Sequence, residues 1–264
     1  MDLQLNHQHV LITGGSKGIG LACAQAFLAE GAKVSLIARQ THSLEQAKAQ
    51  LSQRFEASRI HLLSADLTQA DQAAKAVALA LDQAGPIDVL VNSAGAAKRT
   101  PPDELNIQAW HAAMDAKYFS YVHVIDPVIK HMAQRGQGCV VNIIGAGGKV
   151  ANPIHLPGGA ANAALMLITT GLASAYAAKG LRVNGINPGN TLTERLREGL
   201  SAEARMQGIT EAEALARATQ RIPMGRMADP QEIARVAVFL ASPAASYVNG
   251  AILTMDGVST PTVV

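Results

Sequence analysis

Short apolar runs alternate with helix-patterned stretches along almost the whole of this chain, and that alternation limits the fold more than any other feature. The runs lie at residues 9–12, 33–38, 60–63, 87–91, 139–144, 181–186 and 251–254. Between them the spacing predicts helices over 19–30, 43–56, 69–83, 106–134, from Pro157 onward, and over 230–241. The helix over 106–134 has to accommodate Pro127. Runs that are apolar on both faces belong to strands covered from both sides, which predicts a parallel sheet. Right-handed crossovers then give an α/β, doubly wound fold of about seven strands, in which ligands bind at the carboxyl ends of the strands. The turn at 13–20, Asp66, residues 92–95, Gly145 and the pair Pro188–Gly189 are therefore expected on one edge.

Composition agrees with one packed domain over residues 1–264. The chain is 48% hydrophobic and only 16% charged, enough to bury a core and too apolar for a disordered segment. No linker, repeat or low-complexity stretch divides it. With 22 Lys and Arg against 20 Asp and Glu, and no basic run, nothing suggests a nucleic-acid track. Residues 150–178 carry no Asp, Glu, Lys or Arg, but Pro153, Pro157, Gly158 and Gly159 interrupt them and Asn162, Thr169, Thr170 and Ser174 make them polar. A buried or subunit-interface helix is expected there, and no membrane span. Cys23 and Cys139 lie far apart in apolar stretches, with no metal-ligand spacing, so buried thiols and no metal are expected. Without a basic and then apolar N-terminus, no signal peptide is expected and a cytoplasmic location is.

The turn after the first run reads Gly14-Gly15-Ser16-Lys17-Gly18-Ile19-Gly20 and opens the first helix. Glycines there let backbone approach a pyrophosphate, whose charge suits a helix N-terminus. An acid at the end of the second strand would hold a ribose hydroxyl and select NAD. That place reads Ala38-Arg39, and Lys17 adds a second cation. Both suit a 2′-phosphate, so NADP(H) is expected over NAD(H).

With these motifs goes a series of others in order: Asp66-Leu67, Asn92-Ser93-Ala94-Gly95, Arg182-Val183-Asn184, Pro188-Gly189 with Thr193, and the stretch 230–257. The chain resembles the short-chain dehydrogenase/reductase family over roughly residues 6–257. The resemblance implies a single-domain Rossmann fold that meets a nicotinamide dinucleotide through Gly14, Ser16, Lys17, Gly18, Ile19, Gly20, Arg39, Asp66, Leu67, Asn92, Ala94, Gly95, Pro188, Gly189, Thr191 and Thr193. Asp66 would contact adenine, Asn92 would support the adenosine side, and residues 188–193 would embrace the nicotinamide. It also implies a homo-oligomer, a tetramer, in which the uncharged face of 160–178 is covered.

The family's chemistry rests on an Asn, a Ser, a Tyr and a Lys. Its Tyr-x-x-x-Lys pattern falls on Gly158 and Asn162, its Ser on Gly145, and its Asn on Lys117. None of Tyr118, Tyr121 and Tyr176 has a Lys four residues later. Lys117 is the candidate acid or base, returning an ammonium to the pocket from the opposite wall and bonded to the Asn162 amide oxygen. His155 is the second candidate and Lys149 a third. Residues 192–224 are expected to cover the pocket. The expected function is an NADP(H)-dependent oxidoreductase acting on a small-molecule carbonyl or alcohol with a non-standard active site. A non-catalytic NADP(H)-binding protein, sensor or partner subunit, is the alternative, and a lyase or isomerase step using Lys117 is a third.

Overall fold

In the computed structural model, which describes residues 2–95, 98 and 100–262, the seven runs form one parallel sheet. The strands are β1 (His9–Thr13), β2 (Lys33–Ala38), β3 (Ile60–Ser64), β4 (Val89–Asn92), β5 (Gly138–Ile143), β6 (Leu181–Pro188) and β7 (Ile252–Met255). Their order is β3-β2-β1-β4-β5-β6-β7, so the winding reverses between β1 and β4. That reversal opens a crevice at the carboxyl edge, where a ligand of such a sheet binds.

Around the sheet lie α1 (Gly18–Ala29), α2 (Thr41–Ser52), α3 (Ala70–Ala84), α4 (Ile107–Met114), α5 (Ser120–Arg135), α6 (Leu156–Tyr176), α7 (Glu194–Gln207), α8 (Glu211–Gln220) and α9 (Pro230–Ala241). Strand alternation divides the core between the two faces. Val10 and Ile12 pack with Phe27, Ile233 and Ala237 on one side. Leu11 packs with Val77, Val124 and Leu165 on the other. Each such Val, Leu, Ile or Phe side chain, fully buried, contributes about 1.5–3 kcal/mol by leaving water.

Three segments differ from the sequence expectation. The helix over 106–134 is two helices joined by a wide π turn at Asp115–Phe119, while Pro127 sits inside α5. The charged stretch after β6 folds into α7 and α8, both with threonine N-caps. The helix over 43–56 begins at Thr41 and ends at Ser52. By length and composition the helical stretch Pro153–Lys179 could cross a membrane, yet α6 lays Ala161, Leu165, Thr169 and Ala173 against the sheet. Its outer face is uncovered, with Leu167 76% exposed.

The Arg182-Val183-Asn184 motif turns out to be a clamp at the end of α9. The Arg182 guanidinium donates to the carbonyls of Leu240, Ala241, Ser242 and Ala245 at 2.6–3.1 Å. A helix C-terminus leaves such carbonyls without intrahelical partners and carries partial negative charge. Asn184 meanwhile bonds the Val248 carbonyl and the Ala251 amide, which aligns β7 on β6.

Candidate active site

The glycine turn wraps the first turn of α1 as the sequence predicts. A Cβ at Gly20 would stand 2.2 Å from the Gly14 carbonyl oxygen, so only glycine lets the turn close on the helix. The N-cap of α1, Lys17, makes no side-chain cap, and its first turn holds no acid. The free N–H groups of this helix end therefore face the crevice and suit an anion. These residues fit the pyrophosphate of a dinucleotide. Gly14, Ser16, Gly18 and Ile19 are half-buried at this turn. Thr193 packs behind Gly18 and caps α7 by accepting from the Leu196 amide.

Arg39 is exposed directly after β2, with Ala38 before it and no acid at the strand end. Lys17 reaches instead to Glu194, at 3.4 Å, in a pair exposed at both ends. Asp66 folds back on its own loop and accepts from the amide and hydroxyl of Thr68 at 3.0 and 2.9 Å, while Leu67 is buried behind it.

Asn92 is fully buried and belongs to a polar ladder across the sheet. Thr13 Oγ1 donates to Asn92 Oδ1 (3.4 Å), Asn92 Nδ2 to Asn142 Oδ1 (3.0 Å), and Asn142 Nδ2 to Thr169 Oγ1 (2.9 Å). The same Thr13 oxygen accepts the amides of Ser93 and Ala94, both at 3.1 Å. Asn92 thus braces Thr13, whose oxygen holds the loop that carries Ala94 and Gly95. Thr13 belongs to the turn the sequence places at this edge, whereas Asn142 and Thr169 are not among the residues the resemblance implies. A polar residue inside an otherwise apolar strand, as Asn142 is, was the available signal.

At the carboxyl ends of β4, β5 and β6 lies a cavity of about 470 Å³. Lys117, Gly145, His155, Gly158 and Asn162 line it, together with Gly95, Pro188, Gly189, Arg195, Asp256 and Thr260. The volume suits a small ligand. Thr191 is buried at the end of β6, in a bridge to Ala228.

Lys117 is 8% exposed and stands in the π turn. Its Nζ donates to the Tyr121 hydroxyl (2.8 Å) and the Ile143 carbonyl (3.0 Å), and Tyr121 itself donates to that carbonyl. The expected bond to Asn162 is not formed: β5 presents a carbonyl nearer the ammonium, and the Asn162 amide oxygen is buried without a partner among the described residues. An ammonium carries three hydrogens, so two point inward and one is left for the cavity. Burial first, and the Arg195 charge second, bring the Lys117 pKa down to about 7. Burial pushes the Tyr121 hydroxyl in the opposite direction, upward. Tyr121 is enclosed and does not line the cavity; it serves as a prop for Lys117.

Gly145, where the resemblance places a serine, has φ +131°, a conformation that a side chain resists. Its amide donates to Asn187 Oδ1 at 3.3 Å. His155 is the N-cap residue of α6 and half-buried in the cavity wall. Lys149 points elsewhere, donating to Thr254 Oγ1 at 3.2 Å. Of residues 192–224, Arg195 alone among the described residues reaches the cavity wall, from the first turn of α7.

The family model described as enoyl-(acyl carrier protein) reductase matches residues 14–258. Gluconate 5-dehydrogenase of Gluconobacter oxydans is 34% identical over 258 residues, covering 96% of this chain and 94% of that protein. D-threitol dehydrogenase of Mycolicibacterium smegmatis is 35% identical over 257 residues, covering 97% and 94%. The crystal structure of L-sorbose reductase from Gluconobacter frateurii with NADPH and L-sorbose superimposes with a TM-score of 0.92 and 28% identity, over 100% of both chains.

Proposed function

This chain belongs to the short-chain dehydrogenase/reductase family, and on that premise we propose that it is an NADP(H)-dependent oxidoreductase interconverting a small carbonyl compound and its alcohol, with Lys117 as proton donor. The observation that carries this reading is the Lys117 ammonium, held by two inward hydrogen bonds at the wall of the cavity, where burial brings its pKa down to about 7. The relatives named above are enzymes of gluconate, D-threitol and L-sorbose, polar compounds that fit a cavity with polar walls.

The dinucleotide, when bound, supplies or accepts the hydride. The chain's own part is to orient and to move one proton. The free N-terminus of α1 and the glycine turn receive the pyrophosphate. Arg39 meets a 2′-phosphate, and Lys17 joins it at little cost because its exposed pairing with Glu194 is weak. Lys117 Nζ gives its third hydrogen to the substrate oxygen as negative charge develops there, and regains it in the reverse direction. Tyr121 and the Ile143 carbonyl keep that nitrogen in place. His155, the second candidate, lines the same cavity.

Purified protein with NADPH and a panel of ketoses, keto acids and simple ketones tests the reading. Oxidation of NADPH in step with one carbonyl compound is the expected result. One observation favours a second reading: Gly145, Gly158, Asn162 and Lys117 all depart from the pattern the resemblance implies. Tight NADPH binding without turnover of any compound in the panel would make the protein a non-catalytic dinucleotide binder.

The reading includes a homo-oligomer, a tetramer, in the cytoplasm. The uncovered outer face of α6 supports the first, with Leu167 beside exposed Ala163, Thr170 and Gly171. Two free, buried cysteines support the second. Sedimentation at micromolar concentration should show a species of about four chains; a stable monomer contradicts the oligomer.

A further inference from the structure

We propose that Lys117 is also a nucleophile: as the free amine it captures a small ketone or aldehyde as an iminium, and so exchanges that compound's α-hydrogens with water. This activity goes beyond hydride transfer and needs no dinucleotide.

The geometry around Nζ carries it. A lysine nitrogen has four tetrahedral positions, one of them bonded to Cε. The Tyr121 hydroxyl and the Ile143 carbonyl oxygen occupy two more, at 2.8 and 3.0 Å. A free amine has two hydrogens, and these acceptors engage both. The lone pair is left in the fourth position, beside the cavity that Lys117 lines. That cavity, of about 470 Å³, is walled in part by Gly145, Gly147 and Gly158. These send no side chain into it and leave room for a compound bonded to Nζ.

The charged groups in the same wall keep the amine available. Burial and the Arg195 charge, from α7, both bring its pKa down, to about 7. Asp256, directly after β7, gives Oδ1 to the Val258 amide (3.0 Å) and Oδ2 to the Thr260 amide (2.9 Å), and makes no ion pair with Lys117. His155, at the N-cap of α6, brings no negative charge. A desolvated lysine beside another cation is a form in which amines make iminium ions. Of the nine lysines in the chain, Lys117 alone is buried among the described residues.

The step balances without an oxidant or reductant. Nζ bonds the carbonyl carbon, and the oxygen leaves as water with one amine hydrogen and one proton from solvent. The iminium draws electrons from the neighbouring C–H bond, whose proton passes to water. A solvent proton returns to that carbon, and hydrolysis restores the carbonyl compound and the amine.

The test uses acetone in deuterated buffer near neutral pH, without NADPH, on the unaltered protein and on Lys117→Met. Sodium cyanoborohydride converts an iminium into a stable secondary amine, heavier by the mass of acetone less one oxygen. Peptide mapping of the unaltered protein should place this adduct on Lys117, formed roughly tenfold or more faster than on any other lysine, because an ordinary lysine, of pKa about 10.4, is almost wholly protonated there. Without cyanoborohydride, NMR should show deuterium entering the acetone methyl groups, and Lys117→Met should return that uptake to the rate in buffer alone. The map depends on no variant, so it decides the matter even where Lys117→Met folds poorly. No adduct on Lys117, adducts spread evenly over the lysines, or deuterium uptake no faster than with Lys117→Met overturns the proposal. NADPH-linked reduction is assayed separately, so failure of either activity is read by itself.

Discussion

Lys117→Met should lower turnover about 100-fold, the usual size of a lost general acid. Methionine keeps most of the volume and removes the charge. The fold should survive, because the Ile143 carbonyl keeps its bond from Tyr121, and the Tyr121 hydroxyl, which loses the Lys117 donor, keeps its own bond as a donor. NADPH affinity should be close to unchanged, since Lys117 lies away from the glycine turn and from Arg39. The pH profile of the unaltered protein carries the same information with a defined sign. Lys117 must be protonated to act as an acid, and its pKa is brought down to about 7. Carbonyl reduction should therefore hold below about pH 7 and fall above it, while alcohol oxidation, which needs the free amine, rises over the same range. Turnover and profile unaffected by Lys117→Met would leave the residue a structural one and move the proton donor to His155.

Arg39→Ala should weaken NADPH by roughly 10- to 100-fold and leave NADH nearly as before. A charge-assisted contact to phosphate is worth about 1.5–3 kcal/mol, and each 1.4 kcal/mol is tenfold. NADH has no 2′-phosphate, so nothing of that contact is lost to it. Arg39 is exposed at the end of β2 and makes no side-chain bond to the rest of the protein among the described residues, so the change should leave the melting temperature unchanged. Equal losses for both dinucleotides would refute a 2′-phosphate role.

Much of the fold is legible in the sequence because it rests on local signals. Seven apolar runs, the glycine turn, Asn106 capping α4 and Pro230 opening α9 each declare themselves within a few residues. The π turn does not. A break of that kind depends on what the helix meets, and here the Ala116 carbonyl leans so close to Gly95 that a Cβ there would lie 1.7 Å away. The Thr13–Asn92–Asn142 ladder is similarly hidden, because it exists only once β1, β4 and β5 are in register.

At the cavity, the sequence identifies Lys117 but not its support. A search for tyrosine followed four residues later by lysine finds nothing, whereas Lys117 and Tyr121 are the same pair in the opposite order, one turn apart on a different helix. Arg195 lies in the segment expected to cover the pocket, yet nothing local singles it out. It is one of several arginines in a charged stretch, and only the start of α7 turns it toward the cavity.

The backbone at Gly145 bears on ancestry. If this chain descends from enzymes with a serine at that position, the step is not undone by restoring the side chain. At φ +131° a serine would strain the loop before its hydroxyl reached the cavity, and the Asn187 contact to the Gly145 amide would shift with it. A return to the family's arrangement would need the loop to change first and the four side chains afterwards. Drift would then carry such a chain toward refining its lysine rather than recovering a tyrosine, as with a ratchet whose tooth is a single peptide unit.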